Sequence, residues 1–314
     1  MSNKVKVCVS CNNISPYLTI SSPKEAVALI GEHFQNDLDK FVWPHDTDLL
    51  VMTECCDRYL AKSADELYAY YEERKDTFRE FFASEAKKHH AYIAYNAVLK
   101  LDGIWRNATE IYDRQGESMG FYFKNHLFPG EYQRGTVAGT ELPVFECDFG
   151  KVVCATCFDL NFEELRHRCR DLHPDIIAFS SAFHGGLLQK IWAYESRAYF
   201  AGACSKAPEI LDPQGESIAH SHNIFYNPVA VAELNLDREI IHLDYNMTKF
   251  PKIKAKYGNK VNVRIPDYLG SALMTCEADD LTIRDIIDEF KLVTLDEYLE
   301  DCLNKREEHL KQYR

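Results

Sequence analysis

Cys157, Glu54 and Lys124 each stand at the far end of an apolar segment, and together they supply a thiol, a carboxylate and an ammonium. In α/β sheets, residues just beyond strand ends gather in a crevice where ligands bind. Converging there, the three groups form a chemically complete set for acyl transfer. A thiolate attacks carbonyl and nitrile carbons well when its pKa is lowered and its sulfur is presented to substrate. The carboxylate can take the thiol proton and later activate water. The ammonium can stabilise charge developing on the carbonyl oxygen, helped by a backbone N–H following the cysteine. No histidine is required, because the carboxylate serves as base. Each residue also has an ordinary reading. Most strand cysteines are inert core, Glu54 can be a surface carboxylate, and Lys124 a solvated hairpin residue. His126 is more often a structural hydrogen-bonder than a catalyst.

The elements that must hold these groups are legible around them. Val152–Thr156 reads as an interior strand that breaks at Cys157, and Asn161-Phe-Glu-Glu164 reads as a helix start. Asn161 fits the N-cap and Glu164 its return partner. That places Cys157 at the positive end of a helix dipole, which favours a thiolate. Asp48–Glu54 reads as a buried strand ending in its carboxylate. Ala108–Tyr112 and Gly120–Phe123 flank the turn Asp113-Arg-Gln-Gly116, a hairpin that leads into Lys124. Ahead of these, Val5–Val9 is a strand, and Ser22 caps a helix with Pro23 at its first position. Ala64–His89 carries helical periodicity, with a strand at Ala91–Leu99. After Cys157 come the strand Asp175–Ser180, a helix through Trp192–Tyr199, the strand Ala201–Ser205, the turn Asp212–Glu216 and the strand Val229–Leu234. Strands alternating with helices, with hairpins interspersed, indicate mixed-sheet α/β layers.

Composition bounds the rest. The chain has 314 residues, 46% hydrophobic and 27% charged, ordinary for a globular protein with a sizeable core. A net charge of −13 argues against a nucleic-acid partner. No apolar run is long enough to span a bilayer, and the N-terminus lacks a signal-peptide apolar region. The eleven cysteines show no small secreted disulfide pattern and read as reduced thiols in a cytoplasmic protein. Two CxxC pairs, Cys8/Cys11 and Cys154/Cys157, raise the question of zinc. The second pair lies in a strand, where positions three apart point to opposite faces, so neither a metal site nor a redox pair is expected. No cofactor is called for.

Three motifs in order resemble the nitrilase (carbon–nitrogen hydrolase) superfamily. Leu-Leu-Val-Met-Thr-Glu54 resembles its catalytic glutamate segment. Phe121-Tyr-Phe-Lys124-Asn-His-Leu-Phe-Pro-Gly-Glu131 looks like its lysine motif, and Cys157-Phe-Asp-Leu-Asn-Phe-Glu-Glu164 is similar to its nucleophile motif. The hairpin Asn107–Lys124, the Arg197-Ala198 pair and the Asp212-Pro-Gln-Gly215 turn fall where the family has them. The likeness covers about residues 4–240. It implies an α/β fold, a four-layer α-β-β-α sandwich, paired into homodimers or larger assemblies. It implies attack by Cys157 on an amide, carbamoyl or nitrile carbon, release of ammonia or an amine, and hydrolysis of a thioester by water activated by Glu54. Glu131 matches a second glutamate that positions substrate or the lysine.

The chain departs from the family pattern in three places. Thr53 and Glu163 replace prolines, and His167 replaces an arginine. These bear on the branch, not the chemistry. Cys157-Phe158-Asp159 looks more like the amidase and carbamoylase branches than the Cys-Trp-Glu of nitrilases, so amide or carbamoyl cleavage is favoured over nitrile cleavage. Arg197 or His184 could hold a substrate carboxylate, although Arg197 reads equally well as a structural arginine at its helix. Tyr59 and Phe158 are candidate pocket residues. The same fold could also serve as a non-catalytic scaffold, but a scaffold has no reason to keep the three reacting groups together. Residues 1–240 are read as the hydrolase domain. Residues 241–314 are read as a helical C-terminal extension packing on that core or on a partner subunit.

Overall fold

Short runs rich in Val, Ile, Cys and Ala alternate with amphipathic segments, and strands and helices follow that alternation. The computed structural model describes residues 3–11, 20–59, 61–222 and 226–313. In order come β1 (Lys4–Ser10), α1 (Pro23–Asp37), β2 (Leu49–Val51), α2 (Ala64–Arg74), α3 (Thr77–His89), β3 (Tyr92–Leu101), β4 (Ile104–Tyr112), β5 (Ser118–Phe123) and α4 (Pro129–Gln133). Then follow β6 (Val144–Cys147), β7 (Gly150–Thr156), α5 (Glu163–Asp171), β8 (Ile176–Ser181), α6 (Leu187–Ser196), β9 (Tyr199–Cys204), β10 (Glu209–Leu211), β11 (Ser217–His220) and β12 (Val229–Asn235).

These strands form two six-stranded sheets, ordered β12-β1-β2-β3-β4-β5 and β11-β10-β9-β8-β7-β6. Each has a parallel centre, β1-β2-β3 in one and β7-β8-β9 in the other; antiparallel strands β4 and β5 extend the first, and β6 on one side and β10 and β11 on the other extend the second. The central strands are buried on both faces, which is why they read as continuous apolar runs rather than alternating ones. The sheets face each other. The Ser180 hydroxyl donates to the Met52 carbonyl at 2.8 Å, tying the end of β8 to the end of β2. Helices α1 to α3 close the outer face of the first sheet over a core that includes Ile30, Phe34, Phe78, Phe82 and Tyr95. Helices α5 and α6 cover the second sheet, where Trp192 of α6 is fully buried. The result is the expected α-β-β-α sandwich.

Several boundaries moved for physical reasons. The helical stretch Ala64–His89 is two helices, because Lys75 adopts a left-handed φ of 48° that closes α2. Helix α6 ends at Ser196, with Arg197 at φ 54°, and Tyr199 already opens β9. Phe162, not Asn161, is the N-cap residue of α5, and the segment Cys157–Asn161 is a separate 3-10 turn.

The chain divides into two compact units, Val5–Leu234 and Met1–Lys4 with Asn235–Arg314. The boundary expected after residue 240 thus falls inside a strand, β13 (Arg238–His242), where Ile240 and Ile241 are buried. The second unit is not simply helical. It continues with α7 (Phe250–Tyr257), β14 (Val261–Arg264), β15 (Ser271–Cys276), α8 (Ile283–Phe290) and α9 (Leu295–Lys311), and its strands form an antiparallel sheet ordered β13-β15-β14. Ile253, Met274, Ile286 and Ile287 help build its own core. Among the described residues, no helix is long and apolar enough to cross a membrane.

Candidate active site

Glu54, Lys124, Glu131 and Cys157 line one cavity of about 690 Å³. Glu54 lies just past β2, in a turn fixed by the Asn96 side chain, whose oxygen accepts the Cys55 N–H at 2.7 Å. Cys55 itself has a φ of 48°. Lys124 follows β5; its N–H donates to the Asn107 carbonyl and its own carbonyl accepts from Gly139, both at 2.9 Å. Glu131 comes from the short helix α4. Cys157 follows β7 with a φ of 48°, a left-handed conformation that non-glycine residues adopt at a cost. Two strained residues beside a carboxylate and a thiol are the kind of feature that concentrates where reacting groups are held.

The Lys124 ammonium sits between the carboxylates, 2.8 Å from Glu54 Oε1 and 2.8 Å from Glu131 Oε2. Asn107 spans the same pair, donating to Glu54 Oε1 at 3.0 Å and to Glu131 Oε1 at 2.8 Å. The Phe128 N–H donates to Glu131 Oε2 at 3.0 Å, and the Ala182 N–H, just past β8, to Glu54 Oε2 at 3.3 Å. Burial opposes the charge on Lys124, which is 1% exposed, but Glu54 and Glu131 outweigh it and strengthen its hold on the proton. An ammonium fixed in this way is a standing electrostatic partner for an oxyanion.

The thiol corrects an expectation. The pKa of Cys157 is not lowered; burial foremost, and then the Glu54 carboxylate, push it up to about 12, against the pull of Lys124. A hydrogen bond to Glu54 adds to the rise and one with Ser181 opposes it. At rest the thiol therefore keeps its proton, and that proton has a carboxylate acceptor already in contact. The helix dipole gives less than the sequence suggested, because a 3-10 turn separates Cys157 from α5.

Asp159, which pointed to the branch, faces away from the cavity. Fully buried, it accepts the Thr156 N–H at 3.0 Å, the Tyr122 hydroxyl at 2.5 Å and the His126 N–H at 2.7 Å. Its carboxylate locks the corner after β7 to the segment after β5, and so sets Cys157 relative to Lys124. His126 stays structural: its ring stacks on Phe162 at 3.7 Å and its nitrogens face Asp159 and Glu164.

Of the four candidate substrate contacts, two line the cavity. Phe158 and Tyr59 do; His184 and Arg197 do not. His184 pairs with Glu209 at 2.9 Å, and its other ring nitrogen accepts the Gly186 N–H. The Arg197 guanidinium bonds the Tyr194 carbonyl and covers the Tyr194 ring at 4.8 Å, the structural role open to it from the start. Cys154 is buried inside β7, and neither CxxC pair contributes to a group with metal-ligand spacing among the described residues.

Three side chains of the site lay outside the sequence expectations. The position of Asn107 could not be counted from the hairpin turn. Counting back from Tyr112 and Ser118 beside the turn would set Asn107 opposite Phe123, but a bulge between Ile111 and Tyr112 shifts the register by one residue, pairs Ala108 with Phe123 and brings Asn107 opposite Lys124. Arg58 and Arg134 also line the cavity. Each follows a site glutamate by three or four residues, but nothing in that spacing alone fixes where its side chain goes.

Comparison with known proteins gives one family. A carbon–nitrogen hydrolase family model matches residues 22–238. Canine (Canis lupus familiaris) pantetheinase is 34% identical over 92 residues, 29% of this chain and 18% of that protein. A probable hydrolase, nit2 of Schizosaccharomyces pombe, is 28% identical over 166 residues, 44% of this chain and 59% of that one. The chain thus spans less than two thirds of either relative. Among solved structures, Nit3 of Saccharomyces cerevisiae, a member of branch 10 of the nitrilase superfamily, superposes with a TM-score of 0.59 at 19% identity, covering 74% of this chain and 90% of that one. An amidase from Nesterenkonia sp. gives a TM-score of 0.59 at 16% identity, covering 79% and 95%. At these identities the structural likeness is one of fold.

Proposed function

The chain belongs to the carbon–nitrogen hydrolase family, and from that premise we propose that it is a thiol amidohydrolase acting on a non-peptide C–N bond of a small amide or N-carbamoyl compound. The observation that carries this reading is the joint placement of Cys157, Glu54 and Lys124 in one cavity, with the thiol hydrogen-bonded to Glu54.

The reaction follows from what each group can do. As the Cys157 sulfur bonds to the substrate carbon, its proton passes to Glu54. The electron pair of the C=O bond moves to oxygen, and the Lys124 ammonium faces that charge. The first N–H groups of the 3-10 turn lack helical acceptors and are placed to assist. Collapse expels the nitrogen, which takes the proton from Glu54 and leaves as ammonia or amine. A thioester remains on Cys157. Water then enters, Glu54 removes its proton, and attack on the thioester carbon releases the acid and restores the thiol. Glu131 and Asn107 keep Lys124 and Glu54 in place through both halves. The protein acts as a homo-oligomer in this reading, as the family resemblance implies. Amide cleavage is favoured over nitrile cleavage on the resemblance of Cys157-Phe158-Asp159, since Asp159 does not line the cavity.

Ammonia release from a panel of primary amides and N-carbamoyl compounds tests the reading. Activity should vanish in Cys157→Ala while the circular dichroism spectrum is kept, and mass spectrometry of briefly incubated protein should find the acyl group on Cys157. Undiminished turnover by Cys157→Ala would falsify the assignment.

A further inference from the structure

The two arginines of the cavity have no place in that chemistry. Arg58 is exposed at the cavity wall, and Arg134 lies with its guanidinium 5.4 Å above the Phe128 ring. Among the described residues neither guanidinium has a carboxylate partner or a side-chain acceptor. Arginines elsewhere in this unit do have partners: Arg74 with Asp57, Arg79 with Glu110, Arg114 with Asp48 and Asp148, Arg166 with Glu195. A guanidinium next to an apolar wall, with its donors unused, is suited to bidentate capture of an oxyanion.

We infer that the substrate carries an anionic terminus, a carboxylate or a phosphate, held by Arg58 and Arg134 while its amide lies on Cys157. This deepens the amidohydrolase reading and rests on it. The charges of the cavity order such a molecule. Around the nucleophile two carboxylates, Glu54 and Glu131, surround one cation, Lys124, and that end repels an anion. Arg58 and Arg134 supply two further positive charges, so an anionic end is drawn toward them and the neutral amide is left for the thiol. Tyr59, Tyr68, Tyr71 and Phe128 line the same cavity and offer aromatic surface for an apolar spacer. The volume of about 690 Å³ leaves room for one. The carboxylate-binding role expected of His184 and Arg197 thus passes to two other residues.

Alkylation of Cys157 tests this without knowledge of the natural substrate. The probes are N-chloroacetyl derivatives of glycine, β-alanine and aminohexanoate, their neutral methylamides, and chloroacetyl-ethanolamine phosphate. In each, sulfur displaces chloride, and peptide mass spectrometry reads the rate at Cys157. For at least one chain length the anionic probe should react about tenfold faster than its neutral counterpart, the size of one well-made charged contact. The carboxylate and phosphate arms say which oxyanion fits. Arg58→Gln and Arg134→Gln should each bring the anionic-to-neutral ratio toward one. Lys311→Gln, which removes a positive charge from an exposed helix of the other compact unit, should leave that ratio alone. Equal rates for anionic and neutral probes at every length overturn the anion preference and leave the nucleophile standing. If no probe labels Cys157, the nucleophile assignment falls, and this inference falls with it.

Discussion

Cys157 combines two features that pull against easy reactivity, a left-handed backbone and a thiol pushed up to about 12. The backbone predicts a stability difference between two inactive variants. Cys157→Ala keeps a Cβ at φ 48°, whereas Cys157→Gly removes the clash, so the glycine variant should be more stable by about 1 kcal/mol in urea unfolding. The reverse order would show that the corner is unstrained. The thiol makes a second prediction through Glu54. Because the Glu54 carboxylate raises the Cys157 pKa, Glu54→Gln should lower it, while removing the base that accepts the proton. Thiolate absorbance, read as a difference from Cys157→Ala, should titrate at lower pH in Glu54→Gln, yet amide turnover should be lost. Greater acidity without reactivity would separate general-base catalysis from simple thiolate supply. The residues proposed to react were legible because each ends an apolar run. The direction of the thiol shift was not, because it depends on burial and on a carboxylate that arrives from another strand.

At the scale of elements, the site is held by the ends of β2, β5, β7 and β8, and its accuracy depends on the hairpin β4–β5. Register sets Asn107 beside Lys124, and Asn107 then donates to both Glu54 and Glu131. Asn107→Ala leaves two buried carboxylate oxygens each short of a donor and frees Glu54 to shift. Turnover should fall on the order of 10²-fold through kcat, as misplacement of a reacting group by about 1 Å costs, with less change in KM. A pure KM effect would place Asn107 on the substrate instead. Gly139 has a comparable role at the backbone. Its N–H donates to the Lys124 carbonyl, and a Cβ there would lie 2.3 Å from the Phe123 carbonyl oxygen. Gly139→Ala must therefore displace the strand end that carries Lys124, lowering both the melting temperature and kcat. Loss of stability with kcat intact would show that the strain is absorbed elsewhere. The hairpin itself could be read from its turn residues. The 3-10 turn after Cys157 could not, since Asn161 and Glu164 satisfy a helix-start pattern equally well and only the Asp159 network decides against it.

Over the whole molecule, two sheets buried on both faces were readable as layers, because their strands are continuous apolar runs. The second compact unit was less readable: β13 and β14 are only partly buried, and their residues sit among charged neighbours that resemble solvated helix faces. The same deep burial of the sandwich shapes its response to pH. Cys11, Cys147, Cys157, Cys169 and Cys204 are all pushed up from the ordinary thiol value of 9.0 to about 12, chiefly by burial. Cys8 and Cys154 are raised for the same reason. Tyr70, Tyr95 and Tyr122 move upward as well, again through burial first. In the unfolded chain these thiols lose their protons near 9.0, while in the folded chain they keep them to about 12. Above pH 9 the unfolded state therefore binds fewer protons than the native one, and stability must fall as pH rises. The contribution is complete below the unfolded value and is lost progressively through the folded one, a window of about pH 9 to 12. Lys124, also raised, adds a term of the same sign. Urea unfolding under reducing conditions at pH 7, 8, 9, 10 and 11 should show a nearly constant midpoint between the first two points, a decline that begins between pH 8 and 9, and a steeper fall after it. Replacing Cys169, on the buried face of α5 and outside the cavity, with alanine removes one of these thiols and should make that decline shallower. A midpoint unchanged to pH 11 would mean that the buried thiols ionise in the native state without cost, which their surroundings do not allow.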